Sequence, residues 1–206
     1  MKLAVFDFDS TLMDGETIDE LAKAYGVFKE VQDITKNAME GKRDFYFSLK
    51  ERVRLLNGMK ESLAVEVCEN LPLVNGAQDI IKELKNRGYK VVCFSGGFKF
   101  ATTYFREILG LDADFSNILC VNDGILNGEV GGEMMFVDSK GKMLLTLQRL
   151  LGVSIKDTIV VGDGANDLSM FRYAGKRVAF CAKEVLKKEA NIIIDTKDLR
   201  EIIKFI

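Results

Sequence analysis

Short apolar runs alternate with amphipathic stretches along the 206-residue chain, and the first run, Lys2–Phe6, reads as a strand. From Thr17 to about Leu71 the period becomes helical. Ile18, Leu21, Ala22 and Tyr25 fall on one face there, and Leu49, Val53 and Leu56 on another. After the single proline, Pro72, strands and helices alternate regularly. The pattern predicts helix Ala77–Arg87 closed by Gly88, strand Lys90–Phe94, and helix Phe98–Leu109 ended by Gly110. Residues 115–137 break into short β-runs with hairpin chemistry: Ile118–Val121, the turn Asn122-Asp123-Gly124, Ile125–Gly128 and Met134–Val137. Helix Lys140–Leu151, strand Thr158–Val161, helix Ala165–Tyr173 and strand Arg177–Phe180 follow. Helix Lys183–Lys188, strand Asn191–Ile194 and a last helix from Asp198 complete the chain. Strands separated by helices imply an α/β fold with a parallel sheet. The expected division is one core, residues 1–12 and 73–206, with a helical lobe of residues 13–72 inserted after the first strand.

At 48% hydrophobic and 29% charged the chain is globular in type, and 29 basic against 31 acidic residues leave a net charge of −2. That balance offers no field for nucleic acid or a membrane surface. The apolar runs fall far short of the ~20 residues a spanning helix needs, and the first run meets Asp7 too early for a signal-peptide core. The expected location is the cytoplasm. Cys68, Cys93, Cys120 and Cys181 form no C-x-x-C pair, so buried packing is expected of them. Cys93 precedes a glycine turn, as a cysteine phosphatase's nucleophile would, but Lys99 stands where such enzymes need arginine. The chain has no histidine. That excludes Ser-His-Asp and Cys-His hydrolysis and the usual zinc sites, and makes carboxylate chemistry the default.

Aspartates stand at two strand ends. Asp7-Phe8-Asp9-Ser10-Thr11 follows the first strand, and Gly162-Asp163-Gly164-Ala165-Asn166-Asp167 follows the strand at 158–161. The carboxyl ends of parallel strands share one edge of the sheet, where ligands collect. Alternation would send Asp7 and Asp9 to opposite faces unless the chain turns between them. Four carboxylates in one crevice repel one another, and a hard divalent cation removes the repulsion; oxygen-only ligands favour Mg²⁺ over zinc. A third strand end carries Ser95-Gly96-Gly97, a hydroxyl followed by unshielded backbone N–H groups suited to a phosphate oxygen. Lys140, opening a helix after Asp138-Ser139, would neutralise such a phosphate. Each feature alone also reads as a turn, a loop or a surface charge. Together they account for one another.

D-F-D-S-T, S-G-G, the helix-opening lysine and G-D-G-x-N-D, in this order across residues 7–167, resemble the four motifs of the haloacid dehalogenase superfamily. The resemblance implies a Rossmann-like parallel-sheet core with a helical cap after the first strand. It implies a nucleophilic Asp7 that forms an aspartyl phosphate, with Asp9 as acid and then base. Mg²⁺ would be held by Asp7, the Asp9 backbone carbonyl and Asp163, with Asp167 supporting its water shell. Ser95, Gly96 and Lys140 would hold the phosphoryl oxygens. Glu16-Thr17-Ile18-Asp19-Glu20, Ala38-Met39-Glu40-Gly41-Lys42 and Phe45-x-x-Ser48-Leu49-x-x-Arg52 resemble the cap of phosphoserine phosphatases. That similarity puts Glu16 on a substrate ammonium, Arg52 on its carboxylate, and Met39 and Phe45 over its aliphatic part, with Asn166 and Gly97 beside it. The implied partner is a small molecule, O-phospho-L-serine, hydrolysed in the last step of serine biosynthesis. Three other readings stay open: phosphate transfer to an alcohol such as homoserine, a different metabolite phosphate, and a binding module without catalysis. Glu133–Ser139 is more apolar than the superfamily leads one to expect, which leaves the hairpin's role open.

Overall fold

The computed structural model describes residues 1–39 and 44–206, without the side chains of 37–39. β1 (Lys2–Asp7) is apolar on both faces because both are covered. Leu3 and Val5 enter one buried cluster, Ala4 and Phe6 the other. β2 (Tyr89–Phe98) pairs with β1 in parallel, and β3 (Ala113–Asn122) pairs with β2 in the same sense. β4 (Ile125–Gly132) closes that edge antiparallel to β3. On the other side of β1 come β5 (Thr158–Gly162), β6 (Lys176–Phe180) and β7 (Ile192–Ile194), all parallel. The order is β4-β3-β2-β1-β5-β6-β7. The chain moves outward from β1 through β2 and β3, then returns to β5 on the opposite side. At such a reversal a crevice opens over the carboxyl ends of the central strands.

Between β1 and β2 come α1 (Thr17–Tyr25), α2 (Phe28–Met39), α3 (Phe45–Arg54), α4 (Glu61–Glu69) and α5 (Ala77–Asn86). Later core helices are α6 (Lys99–Leu109), α7 (Ser139–Leu151), α8 (Leu168–Phe171) and α9 (Glu184–Lys187). The inward residues of the insert, among them Leu21, Leu49 and Leu56, join the same cluster as those of α5 and α6. The connection between α3 and α4 is tied to the β3–β4 hairpin. Gly58 and Glu61 donate their N–H groups to the carbonyls of Leu126 and Gly124 at 2.9 and 2.8 Å, and Leu126 N–H donates to Met59 O at 2.8 Å. The hairpin is thus a prop for the helical insert. Among the described residues, no helix is long and apolar enough to cross a membrane.

Several boundaries differ from the sequence reading. Met134–Val137 forms a turn, not a strand. β4 ends at Gly132, and the buried Met134 is held by Asn117, whose Oδ1 accepts its N–H at 3.0 Å. Ser95-Gly96-Gly97 belongs to β2, in a stretch where pairing with β3 shifts register between Phe94 and Phe98. β3 begins earlier than its apolar pattern suggests, because Asp114 and Ser116 face a buried polar network. Thr102 Oγ1 lies 2.8 Å from Asp114 Oδ2 and 2.7 Å from Ser116 Oγ, and Lys99 Nζ lies 3.1 Å from Asp114. The helix expected from Ala165 opens as a 3₁₀ turn, Ala165–Asp167, and the final helix is a 3₁₀ run, Leu199–Phe205. Cys68 and Cys93 are buried as expected, whereas Cys120 is half-buried and Cys181 exposed. Burial pushes the Cys93 thiol well up, which makes it an unreactive core residue.

Candidate active site

At the end of β1 the chain does turn. The Phe8 carbonyl accepts N–H groups from Thr11, Leu12 and Met13 at 3.2, 2.9 and 2.9 Å, and Ser10 adopts a φ of 57°. The turn brings the carboxylates of Asp7 and Asp9 to the wall of one cavity of about 550 Å³. Asp7 is buried; its Oδ1 accepts Phe8 N–H at 2.7 Å. Its Oδ2 meets Lys140 Nζ at 2.7 Å and accepts from Asn166 Nδ2 at 3.1 Å. Asp9 is held by different partners. Thr17 donates its N–H and Oγ1 to Asp9 Oδ1 at 2.7 and 2.5 Å, and Ser95 Oγ donates to Asp9 Oδ2 at 3.1 Å.

The loop after β5 carries the other pair. Asp167 Oδ2 accepts the N–H groups of Asp163 and Gly164 at 3.0 and 3.2 Å, and its Oδ1 takes Lys140 Nζ at 2.6 Å. Position 162 must be glycine, since a Cβ there would overlap the Asp167 carboxylate. Gly97 has a similar constraint, because its Cβ would lie 2.6 Å from Asp9 Oδ2. Its N–H is not free for a ligand as expected, since it donates to Ser95 Oγ at 2.8 Å.

One lysine does not balance this many carboxylates. Asp7, Asp163 and Asp167 each present an oxygen, all within 4.8 Å of one another. Burial pushes the Asp7 carboxyl well above the ordinary range and Asp167 pushes it further, with Lys140 opposing. Asp163 rises to about 6, again through burial first and Asp167 second. Burial pulls the Lys140 ammonium down, but Asp167 and Asp7 outweigh it and hold the group above its usual value. An all-oxygen group with excess negative charge is the donor set that suits a hard divalent cation.

Glu16, Phe45 and Arg52 line the same cavity. Glu16 stands just before α1 and accepts from Ser10 Oγ at 2.8 Å. Burial, then Asp9, pushes its carboxyl up to about 8. Glu16 nevertheless opens into the cavity, so solvent screens part of that shift. Arg52 lies on α3, its Nε donating to Ser48 O at 3.3 Å; burial lowers its guanidinium, opposed by Glu16 and Asp19. Phe45 Cζ lies 3.6 Å from where a Cβ on Gly96 would stand, so α3 begins directly above the Ser95-Gly96-Gly97 stretch. The side chain of Met39 lies outside the described residues.

Three further residues at the site were given no role in the sequence reading. Thr17 orients Asp9, Asp19 lines the cavity near Arg52, and Lys183 lines it from the end of β6. Lys183 N–H donates to Asp163 O at 2.8 Å. One signal pointed to it: Lys183 follows another parallel strand, whose carboxyl end faces the same edge.

Residues 1–175 match the haloacid dehalogenase-like hydrolase family. The chain is 68% identical over 203 residues to the phosphoserine phosphatase of Wolinella succinogenes, covering 98% of each chain. It is 50% identical over 205 residues to that of Methanocaldococcus jannaschii, covering 100% of this chain and 97% of the relative. A solved phospho-aspartyl intermediate analogue of phosphoserine phosphatase superposes with a TM-score of 0.95 at 50% identity, over 100% of this chain and 98% of the other. A substrate-bound phosphoserine phosphatase complex superposes at 0.94 and 49% identity, with the same coverage.

Proposed function

This chain belongs to the haloacid dehalogenase-like hydrolase family, and from that premise we propose that it is a Mg²⁺-dependent phosphatase hydrolysing O-phospho-L-serine. Asp7 attacks phosphorus, and the bond to the seryl oxygen breaks as the aspartyl phosphate forms. Asp9 gives its proton to the departing oxygen, then takes one from the water that cleaves the aspartyl phosphate. Ser95, the Gly96 N–H and Lys140 hold the phosphoryl oxygens; Lys140 already lies 2.7 Å from Asp7 Oδ2, beside the atom that would carry them. Asp7, the Asp9 carbonyl and Asp163 would hold Mg²⁺, which when bound neutralises phosphoryl charge, and Asp167 fixes the loop behind it. Chelating divalent cations is expected to abolish phosphate release and added Mg²⁺ to restore it, with zinc a poor substitute. Full turnover in excess chelator would overturn the metal assignment.

The observation that carries the substrate is a single cavity with Asp7 and Asp9 beside Glu16 and Arg52. Glu16 takes the ammonium and Arg52 the carboxylate, while Phe45 covers the aliphatic carbon and Asn166 and Gly97 flank the ester. A sugar phosphate offers neither an ammonium for Glu16 nor a carboxylate for Arg52. Residues 13–72 act as the specificity lobe over a core of residues 1–12 and 73–206. Phosphate release from phosphoserine by the purified protein tests the function, and phosphohomoserine formed in added homoserine would replace hydrolysis by transfer. Arg52→Ala is expected to lower kcat/KM for phosphoserine by roughly 10- to 150-fold, the loss of one charge-assisted contact. An aryl phosphate, lacking the carboxylate, should be hydrolysed as before; an equal loss on both substrates would make Arg52 structural.

A further inference from the structure

The apolar segment Glu133–Val137 plays no part in the chemistry above, yet it touches the cap. Phe136 is 58% exposed, and its ring stacks on that of Tyr46, with centroids 5.2 Å apart and planes 8° from parallel. Both partners are fixed at their own backbones. Phe136 N–H donates to Ser139 Oγ at 3.1 Å and its carbonyl accepts Ser139 N–H at 3.0 Å, at the start of the helix that carries Lys140. Across the cleft, Tyr46 N–H donates to the Asp44 cap of α3 at 2.9 Å. Phe47 meets the Tyr46 ring edge-on at 5.4 Å, and Lys50 Nζ lies 5.4 Å from its centroid.

The stack lies at the start of α3, whereas the β3–β4 hairpin packs Gly128 against Arg54 at the other end of the helix. The hairpin holds the connection after α3 through Gly58, Met59 and Glu61, far along the helix from Phe45. The start of α3 needs a second attachment if Phe45 is to stay above Gly96. Tyr46 follows Phe45 directly, and Val137, which follows Phe136, lines the cavity with Phe45. We propose that Tyr46 and Phe136 are positioning residues: their stack holds the first turn of α3 on the core, which keeps Phe45 and Arg52 facing the aspartates. Neither ring touches the reacting atoms.

The kinetic part of this inference rests on the phosphoserine reading; its exchange part does not. A stacked aromatic pair shifts a docked-to-undocked ratio by roughly 2- to 12-fold beyond the area it buries. Phe136→Ala and Tyr46→Ala are therefore each expected to raise KM for phosphoserine within that range, with kcat unchanged, since Asp7, Asp9 and Lys140 keep their partners. Amide hydrogen exchange in the ligand-free proteins should quicken in the first turn of α3 by a similar factor and stay unchanged in β1 and β5. Tyr46→Phe, which keeps the ring, should restore both values. The double alanine variant should be no worse than either single one, because the second substitution removes a ring that has already lost its mate. Unchanged α3 exchange in both alanine variants, or fully additive losses in the double variant, would overturn the proposal. If phosphoserine were not the substrate, wild-type turnover would fail while the exchange result stood.

Discussion

Asp7→Asn is expected to reduce phosphate release by at least about 10⁴-fold, the scale on which losing a covalent nucleophile acts. An amide at this position keeps the shape of the carboxylate and its Oδ1 acceptor for Phe8 N–H, so the fold should survive. The energetics lead further. In the metal-free protein, burial and Asp167 both oppose ionisation of Asp7, and Lys140 offsets them only in part. A folded-state value raised above the unfolded one means that the ionised carboxyl subtracts stability once pH exceeds the unfolded value. A neutral amide removes that penalty and leaves Lys140 paired with Asp167 at 2.6 Å. The metal-free variant should therefore melt no lower than the parent protein near neutral pH. Turnover within tenfold of the parent would show that Asp7 is not the nucleophile, and an unfolded variant would show that the Asp7–Lys140 pair holds the site together.

Asp9→Asn is expected to cost roughly 10²- to 10⁴-fold, the usual weight of a general acid. Its effect should depend on the leaving group. Serine leaves as a poor alkoxide and needs the proton, whereas an aryl phosphate releases a stable phenolate. The loss should accordingly be much smaller on the aryl ester when formation of the aspartyl phosphate limits the rate. Asp9 Oδ1 is fixed by two donors of Thr17, and an amide oxygen can accept from both, so the substitution need not disturb the turn. The pH profile on phosphoserine should lose one limb. An equal loss on both esters with the profile intact would make Asp9 a support for the turn instead of the proton donor.

The chemistry of this site was legible because its residues come in short motifs, each placed where an apolar run stops. β1 ends at Asp7 and β5 at Gly162, each one residue beyond the expected Phe6 and Val161, and an α/β fold followed from strands separated by helices. A glycine-flanked aspartate pair needs little context, because the demand it serves, backbone approach and charge concentration, is local. Apolar pattern, by contrast, reports that a residue is buried without saying against what. Met134 and Met135 are buried as their hydropathy demands, yet outside any strand, with Met134 N–H held by the Asn117 side chain. Asp114 and Ser116 point into a strand interior that polarity argued against, because Thr102 and Lys99, brought from α6, satisfy them there.

Composition and motif order alone determined that the protein works with carboxylates, and that these gather at strand ends beside an inserted helical segment. Only the tertiary structure decided which groups meet. The order of strands puts β1 between β2 and β5, so Asp7 faces Lys140 and Asp167 while Asp9, two residues on, turns to Thr17 and Ser95. It also brought Lys183 to the cavity and Tyr46 onto Phe136. The reason is physical: periodicity is set by each residue's own neighbours along the chain. A hydrogen bond, an ion pair or a ring stack instead depends on a partner far along the chain, whose place is set by the order of strands in the sheet.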